Sequence, residues 1–199
     1  MDRKKILAEL KRHVPFTAFG ALSGIVLMTV VVFVGLPHKV SHTIFHTLHP
    51  IHVVLSAIIT TALYRKYRKG VLTAVVIGLF GSIAIGTFSD ALLPYIGGTL
   101  LNVSIPLHIC VLENPLLIIS SAFFGVAAGF MWEHTKVPHA GHVLLSTYAS
   151  LFYLTTFGSP ASWIPVLPFV FVVLFFAVWI PCCVSDILFP LLFVGEREK

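Results

Sequence analysis

Histidines at helical spacing are the first residues of this chain that could carry chemistry. The 199 residues include ten histidines. Five of them follow one another at intervals of four, four, three and three residues, which places them along one helical face if the segment is helical throughout. A His-x-x-His pair at the start of a helix can present two imidazoles to one zinc, iron or similar ion. These five are His38, His42, His46, His49 and His52.

A second His-x-x-His pair occurs in a related context. Residues 49–56 and 139–146 are identical at five of eight positions, including both histidines and the final serine. Pro50, within the first segment, could break the helix there. A lone histidine near a membrane interface is usually a hydrogen-bonded polar residue, but two matching pairs favour metal ligation. His139 and His142 are therefore predicted to bind metal in the same way as the first pair.

Two aspartates in apolar surroundings share a local pattern. Ser-Asp-x-Leu-x-Pro occurs at residues 89–94 and again at 185–190. A carboxylate inside a membrane span costs about 2.5–3.5 kcal/mol on insertion scales unless a partner compensates it. The proline of each pattern stands four residues after the aspartate and has no N–H, so it leaves the aspartate carbonyl free. We interpret Asp90 and Asp186 as cation ligands; the alternative is a helix cap or a hydrogen bond to a neighbouring serine.

These patterns together predict a divalent metal site, with zinc or iron as the best-suited ions and haem as a further alternative. The predicted ligands are His42, His46, His49, His52, Asp90, His139, His142 and Asp186. Four other polar residues at predicted span ends or in loops are interpreted as ordinary solvated groups. These are His108, Glu113, Glu133 and His134.

The composition indicates that these residues sit in a membrane protein. The chain is 57% hydrophobic and 11% charged, with a mean hydropathy of +0.97. A soluble domain carries about 25% charged residues to cover its core. The net charge of +5 comes from short basic clusters between apolar runs, so it argues against a nucleic-acid partner and for a lipid bilayer.

Six apolar runs are long enough to be considered as crossings of roughly 30 Å of hydrocarbon. The predicted fold is therefore an all-α integral membrane protein with about six transmembrane helices in one domain, residues 1–199. The second and fifth runs are short for a crossing and are expected to borrow their polar flanks. The runs lie near Phe16–Leu36, Pro50–Tyr64, Val71–Ile96, Pro115–Trp132, His142–Phe157 and Pro165–Phe193.

The repeated motifs predict an internal duplication. The matches occur in the same order in residues of about 14–98 and about 114–195. Three spans in each half would reverse the second half, giving two inverted three-helix repeats, an arrangement found in many transporters. Each half also begins with a Gly-x-x-x-Gly face, which predicts close packing across the repeat axis or against a second copy in a homo-oligomer. These glycines are Gly20, Gly24, Gly125 and Gly129.

The basic residues predict the orientation. Twelve of the thirteen lie on one side of a six-span topology, and only Lys39 lies on the other. By the positive-inside rule, both termini are cytoplasmic and the protein is a multi-pass membrane protein. The first His-x-x-His pair and Asp90 would then lie toward the outside, and their counterparts in the second half toward the cytoplasm.

Three functions are consistent with these patterns. A small transporter of a divalent metal cation accounts for both the duplicated half-sites and the embedded carboxylates. A membrane-embedded metal-dependent enzyme, such as a hydrolase or lipid-modifying enzyme, would use an outer histidine-rich site to activate water. The extra histidines of the first half favour this alternative. A haem-binding protein with paired histidines on facing helices is the third.

Overall fold

A computed structural model describes residues 3–67, 70–131 and 139–183. These residues form helices and connecting segments without any β-strand, which confirms the all-α prediction. In chain order the elements of these ranges are α1 (Arg3–Val34), α2 (His38–Tyr67), α3 (Val71–Thr87), a π-helical turn (Phe88–Leu92), α4 (Leu93–Leu100), α5 (Cys110–Glu113), α6 (Pro115–Met131), α7 (His139–Phe157), α8 (Pro160–Trp163), a 3-10 turn (Ile164–Val166) and α9 (Leu167–Cys183).

Helix α2 continues through Pro50 and carries the whole row of five histidines. It has 30 residues and is therefore about 45 Å long. The second span includes its polar flank, as expected for a run that is short for a crossing. Pro50 does not break the helix, because the proline removes one backbone hydrogen bond without ending it. The histidines before Pro50 consequently belong to the membrane-spanning helix candidate and not to a separate loop.

The segment from α3 to α4 contains a widened turn at Asp90. In the π-helical turn Phe88–Leu92, the N–H of Leu93 donates to the carbonyl of Phe88, five residues earlier. Pro94 stands at the start of α4, where its missing N–H is tolerated. Single π-turns inside α-helices occur frequently at functional sites, and here the turn carries a fully buried carboxylate.

Within the described residues, four helical segments are long and apolar enough to cross a membrane, which fits a membrane protein. Helix α6 is apolar but has only 17 residues. Helix α7 has 19 residues and is not among the four, since it carries many serines, threonines and histidines. The four segments are Thr17–Val34, His38–Tyr67, Val71–Leu100 and Ile164–Pro181.

Helices α2 and α7 lie at the centre of the structure. In its most apolar window 67% of the residues of α2 are buried, against 28% for α1 and for the span that contains α9. Most described residues of α7 are buried as well, so its polar side chains are shielded by other helices. Helix α2 contacts α3, α6 and α7, while α7 contacts α9, α1 and α2. Helix α1 also packs on α9, and α6 on α3.

The two Gly-x-x-x-Gly faces are used within the chain. A Cβ atom on Gly125 would lie 2.5 Å from the carbonyl oxygen of Val54, and one on Gly129 would lie 2.8 Å from that of Ile58, both in α2. Gly20 faces α7, where its Cβ would lie 3.0 Å from Oγ1 of Thr147. Each glycine face therefore packs against the central helix of the other predicted half.

Candidate functional site

Asp90 is the centre of a buried cluster in the core. Its Oδ2 atom lies 2.9 Å from Nδ1 of His49 and 2.7 Å from Nδ1 of His52. The exposed fractions of the three side chains are 0–1%. A carboxylate oxygen only accepts, so both imidazoles donate to it from Nδ1. The π-turn and α2 therefore bring together three of the predicted ligands.

Serines of α7 complete the shell of the carboxylate. The hydroxyl of Ser146 donates to Oδ1 of Asp90 over 2.9 Å. The hydroxyl of Ser89 lies 2.6 Å from that of Ser146, and Ser150 donates to the backbone carbonyl of Ser89 over 3.1 Å. Hydrogen bonds at both oxygens compensate the desolvation of a buried carboxylate. Asp90 thus accepts from two imidazoles and one hydroxyl, and it links α2 to α7.

His52 also contacts the second predicted half directly. Its Nε2 atom lies 3.4 Å from Nε2 of His142, and the two rings are tilted by 63°. The expectation that the two His-x-x-His pairs lie toward opposite sides was wrong for these two residues, because α2 and α7 are neighbours at the centre. Two nitrogens bound to one tetrahedral zinc ion are about 3.3 Å apart, given Zn–N bonds of about 2.0–2.1 Å. The observed separation is close to that value.

The remaining predicted ligands are His139, Asp186, His42 and His46, and none of them is among the residues placed in the central cluster above. His139 is the first residue of α7, and its role stays a prediction. Asp186 lies outside the described residues, as do Glu133 and His134. His42 and His46 form a stack with ring centroids 4.0 Å apart, and His46 belongs to a second cluster.

This second cluster, called the outer triad below, consists of His46, His108 and Cys110. One possible ligand atom from each lies within 4.8 Å of the others. The Nε2 atoms of His46 and His108 are 3.2 Å apart, and Sγ of Cys110 lies 3.4 Å from Nε2 of His108. Two imidazoles and a thiol form a group that could hold a metal ion of the zinc type.

Both histidines of the outer triad have a defined tautomer. Nδ1 of His46 lies 3.0 Å from the carbonyl oxygen of His42, which can only accept. Nδ1 of His108 lies 2.8 Å from Oε1 of Glu113. Each ring therefore donates from Nδ1 and, when neutral, carries its lone pair on Nε2. A histidine that donates its other N–H to a carboxylate or carbonyl is the usual arrangement around bound metals.

Burial favours the neutral states of the two residues that lie outside the spanning helices. Removal from water lowers the pKa of His108 below its usual value, because the protonated ring loses hydration. Burial raises the pKa of the Cys110 thiol to about 12. Both groups are therefore favoured in their neutral forms, the imidazole without its second proton and the thiol with its proton.

The outer triad depends on a non-helical segment positioned by α7. The backbone N–H of His108 donates to the hydroxyl of Tyr153 over 3.1 Å, and that hydroxyl lies 3.3 Å from the carbonyl oxygen of Pro106. The ring of Phe157 stacks on His108 with centroids 4.4 Å apart. These contacts fold the segment against the side of α2 that carries His46.

The interpretation of His108 as a solvated residue was wrong, since only 7% of its surface is exposed. Cys110 is a further candidate ligand that the sequence patterns described above did not identify. The available signal was the His-x-Cys spacing: Ile109 has an extended backbone, and residues two apart in an extended segment point to the same side. Glu113, which holds His108, is 53% exposed, in agreement with its interpretation as a solvated group.

No protein-family model matches this chain, and no curated protein or solved structure matches it either. Its class therefore follows from the fold and the site alone. The described residues form an all-helical protein with membrane-spanning candidates and a metal-binding candidate group in its outer triad.

Proposed function

We propose that this protein is a small membrane transporter of a divalent transition-metal cation. In this proposal it crosses the membrane six times as two inverted three-helix halves, with both termini in the cytoplasm. The single observation that carries the proposal is a continuous row of histidines from the surface into the core. An enzyme requires one metal site, whereas a permeation path requires successive sites that a cargo can occupy in turn.

The row of histidines shows a gradient of burial along α2. His38, at the start of the helix, is exposed, while His42 and His46 are half-buried. His49 and His52, further along, are almost completely buried. From the first to the last histidine the helix rises by about 21 Å. Imidazole ligands therefore extend from one end of α2 to its contact with α7.

In the proposed mechanism His52 and His142 bind the cargo through Nε2 at the centre of the protein. Asp90 does not bind the cargo itself in this mechanism, since both oxygens of its carboxylate already accept hydrogen bonds. It contacts Nδ1 of His52, on the side of the ring away from the metal. A carboxylate in this position orients the imidazole and increases its basicity. The role of Asp90 in the proposal is thus to position His52, which differs from the direct ligation predicted by the sequence.

The pattern of helix contacts supports the proposed inverted repeat. If α1 is exchanged with α6, α2 with α7 and α3 with α9, the contacts between these helices map onto one another. The central α2–α7 contact maps onto itself, as expected if it contains the repeat axis. In the sequence repeat Asp186 corresponds to Asp90; it lies outside the described residues, and its role stays a prediction.

Metal flux into sealed liposomes tests the proposal. We expect wild-type protein to move zinc or iron(II) down a gradient, and His52→Ala and His142→Ala each to remove most of this flux. Thr47→Val is the matched control, because Thr47 is exposed on α2 and its hydroxyl donates to the carbonyl of Thr43 in its own helix. Absence of flux in the wild type would exclude transport, and full flux in well-folded variants of the central pair would exclude His52 and His142 as its binding site.

A metal-dependent membrane enzyme is the second candidate. The outer triad favours it, because three protein ligands with a fourth position open to water are typical of catalytic zinc sites. In that case the outer triad alone would be essential, and His142→Ala would keep full activity while wild-type liposomes showed no flux. Haem is disfavoured for the central pair, since the direct contact of the two Nε2 atoms leaves no room for a porphyrin between them.

A further inference from the structure

We propose that the outer triad of His46, His108 and Cys110 is a loading site at which a thiophilic divalent cation of the zinc class is first bound, with Glu113 as its positioning residue. The binding of metal by these residues rests on their own geometry. Their role as a loading site rests on the transport function proposed above. The proposal names the class of cargo, which the central pair of histidines leaves open.

Two of the three ligand-atom separations within the triad are close to those around a tetrahedral ion. With Zn–N bonds of about 2.0–2.1 Å and Zn–S bonds of about 2.3 Å, tetrahedral geometry places two nitrogens about 3.3 Å apart and a nitrogen and a sulfur about 3.6 Å apart. The corresponding separations here are 3.2 Å between the imidazole nitrogens and 3.4 Å between nitrogen and sulfur. These two separations differ from the tetrahedral values by only a few tenths of an ångström, and all three ligand atoms lie within 4.8 Å of one another.

The tautomers of His46 and His108 make the space between their Nε2 atoms favourable for a cation. His46 and His108 both donate from Nδ1, to a backbone carbonyl and to Glu113 respectively. Their Nε2 lone pairs consequently point toward the same small volume, where two neutral rings repel each other. A shared cation converts this repulsion into two coordination bonds. The arrangement of acceptors behind both rings thus favours a metal between them.

Cys110 determines which metals the site accepts. Thiolate is a soft ligand that selects zinc and similar ions, whereas magnesium and calcium prefer oxygen ligands. On binding, the metal replaces the thiol proton, which leaves to the solvent, so the bound complex carries one positive charge fewer than the free ion. The carboxylate of Glu113 is partly exposed beside the site and adds a negative charge that attracts cations.

The outer triad lies between the exposed end of α2 and the central pair of His52 and His142, where a cation entering from the surface would bind first. His46 stacks on half-buried His42, toward the exposed end of α2. His52 follows His46 by six residues, which corresponds to about 9 Å along the helix axis. His49 lies between them on α2, and it is held by Asp90.

Cobalt(II) titration of the full chain in detergent tests the site directly. Cys182 and Cys183 are replaced by serine in the background protein, so that Cys110 is its only thiol. We expect a near-ultraviolet cobalt–thiolate band that saturates at one metal per chain, is removed by zinc and persists in excess magnesium or calcium. Absence of this band at saturating cobalt, or its persistence in Cys110→Ser, would overturn the proposal.

Glu113→Gln tests the positioning role without removing a ligand. We expect the thiolate band to remain, because Cys110 still binds, while the cobalt affinity of the site falls by about 10–100-fold, as is typical for the loss of an outer-shell partner. Leu112→Ala is the matched control, since Leu112 is exposed in the same short helix. An unchanged affinity in Glu113→Gln would contradict the assigned role.

The same variants separate this proposal from the transport proposal. If the cobalt–thiolate band forms but liposomes show no flux, the triad is a metal site and the transport function is wrong. If flux occurs without the band, the protein transports metal and the loading site is wrong. If both occur, Cys110→Ser is expected to lower zinc flux at low zinc concentration more than at saturating zinc, because it weakens loading.

Discussion

The Nε2 atoms of His52 and His142 face each other at 3.4 Å between the two central helices. This contact joins residues that are ninety positions apart in the chain. Because Nδ1 of His52 donates to Asp90, its Nε2 atom is the ring nitrogen that faces His142. The contact is therefore the point at which the two predicted halves meet through groups that can bind a metal.

The first prediction concerns the energetic coupling of this pair. If both imidazoles bind one ion, His52→Ala and His142→Ala should each remove the central metal. The double variant should then contain as much metal as either single variant. Such non-additivity is expected for residues that share a partner. Metal content of purified protein with the outer triad disabled by Cys110→Ser and His108→Ala would measure it. Additive losses would contradict a shared ion.

The second prediction concerns Asp90→Asn. The asparagine amide has one oxygen that accepts and one NH₂ group that donates. The NH₂ group would therefore face either the two imidazole N–H donors of His49 and His52 or the hydroxyl of Ser146, and a hydrogen bond to Asp90 would be lost there. We expect a decrease of about 1–3 kcal/mol in the free energy of unfolding and a decrease of about 10–100-fold in metal affinity at the central pair.

Thermal unfolding in detergent and metal titration measure the two effects of Asp90→Asn separately. Ser120→Ala serves as the control, because Ser120 is exposed and its hydroxyl bonds only to the carbonyl of Leu117 in its own helix. A loss of stability with unchanged metal affinity would assign Asp90 a purely structural role.

The third prediction concerns the glycine faces. In Gly125→Ala the new methyl group would meet the backbone of α2 at 2.5 Å, and backbone cannot move aside as a side chain can. We expect a loss of about 1–3 kcal/mol from overpacking. Gly141→Ala is the control, because a methyl group there meets nothing within 4 Å. Its effect should stay within about 0.5 kcal/mol. Equal stability of both variants in thermal unfolding would disprove the close packing of α6 on α2.

The fourth prediction concerns orientation. Single cysteines introduced at Lys39 and at Lys66, in a background without native cysteines, should be labelled by an impermeant maleimide from opposite sides of the membrane. The bias of the basic residues predicts outside labelling at Lys39 and labelling at Lys66 only after permeabilisation. The reverse result would invert the topology, and labelling of both from one side would exclude an α2 that spans the bilayer.

The sequence predicted the features that depend on local patterns. The apolar runs led to helices in the described ranges, and the histidine spacing correctly predicted a shared face on α2. The position of Asp90 in an apolar context led to its interpretation as a cation ligand, which stays a prediction, whereas in the structure its carboxylate accepts hydrogen bonds from His49 and His52. Helix spacing and hydropathy are properties of neighbouring residues, so they can be derived without knowledge of the rest of the fold.

The tertiary structure decided which of these residues meet. Periodicity determines the face on which His52 lies, but not that α7 is the helix opposite to it. The outer triad likewise depends on a segment that Tyr153 holds against α2, which brings His108 within reach of His46, 62 residues earlier. Contacts between residues far apart in the chain follow from how all the helices pack together. For that reason the sequence by itself determined the helices and the apolar setting of Asp90, whereas the packing of α2 against α7 and against the 108–113 segment decided that His108 and Cys110 are buried and which residues meet in each site.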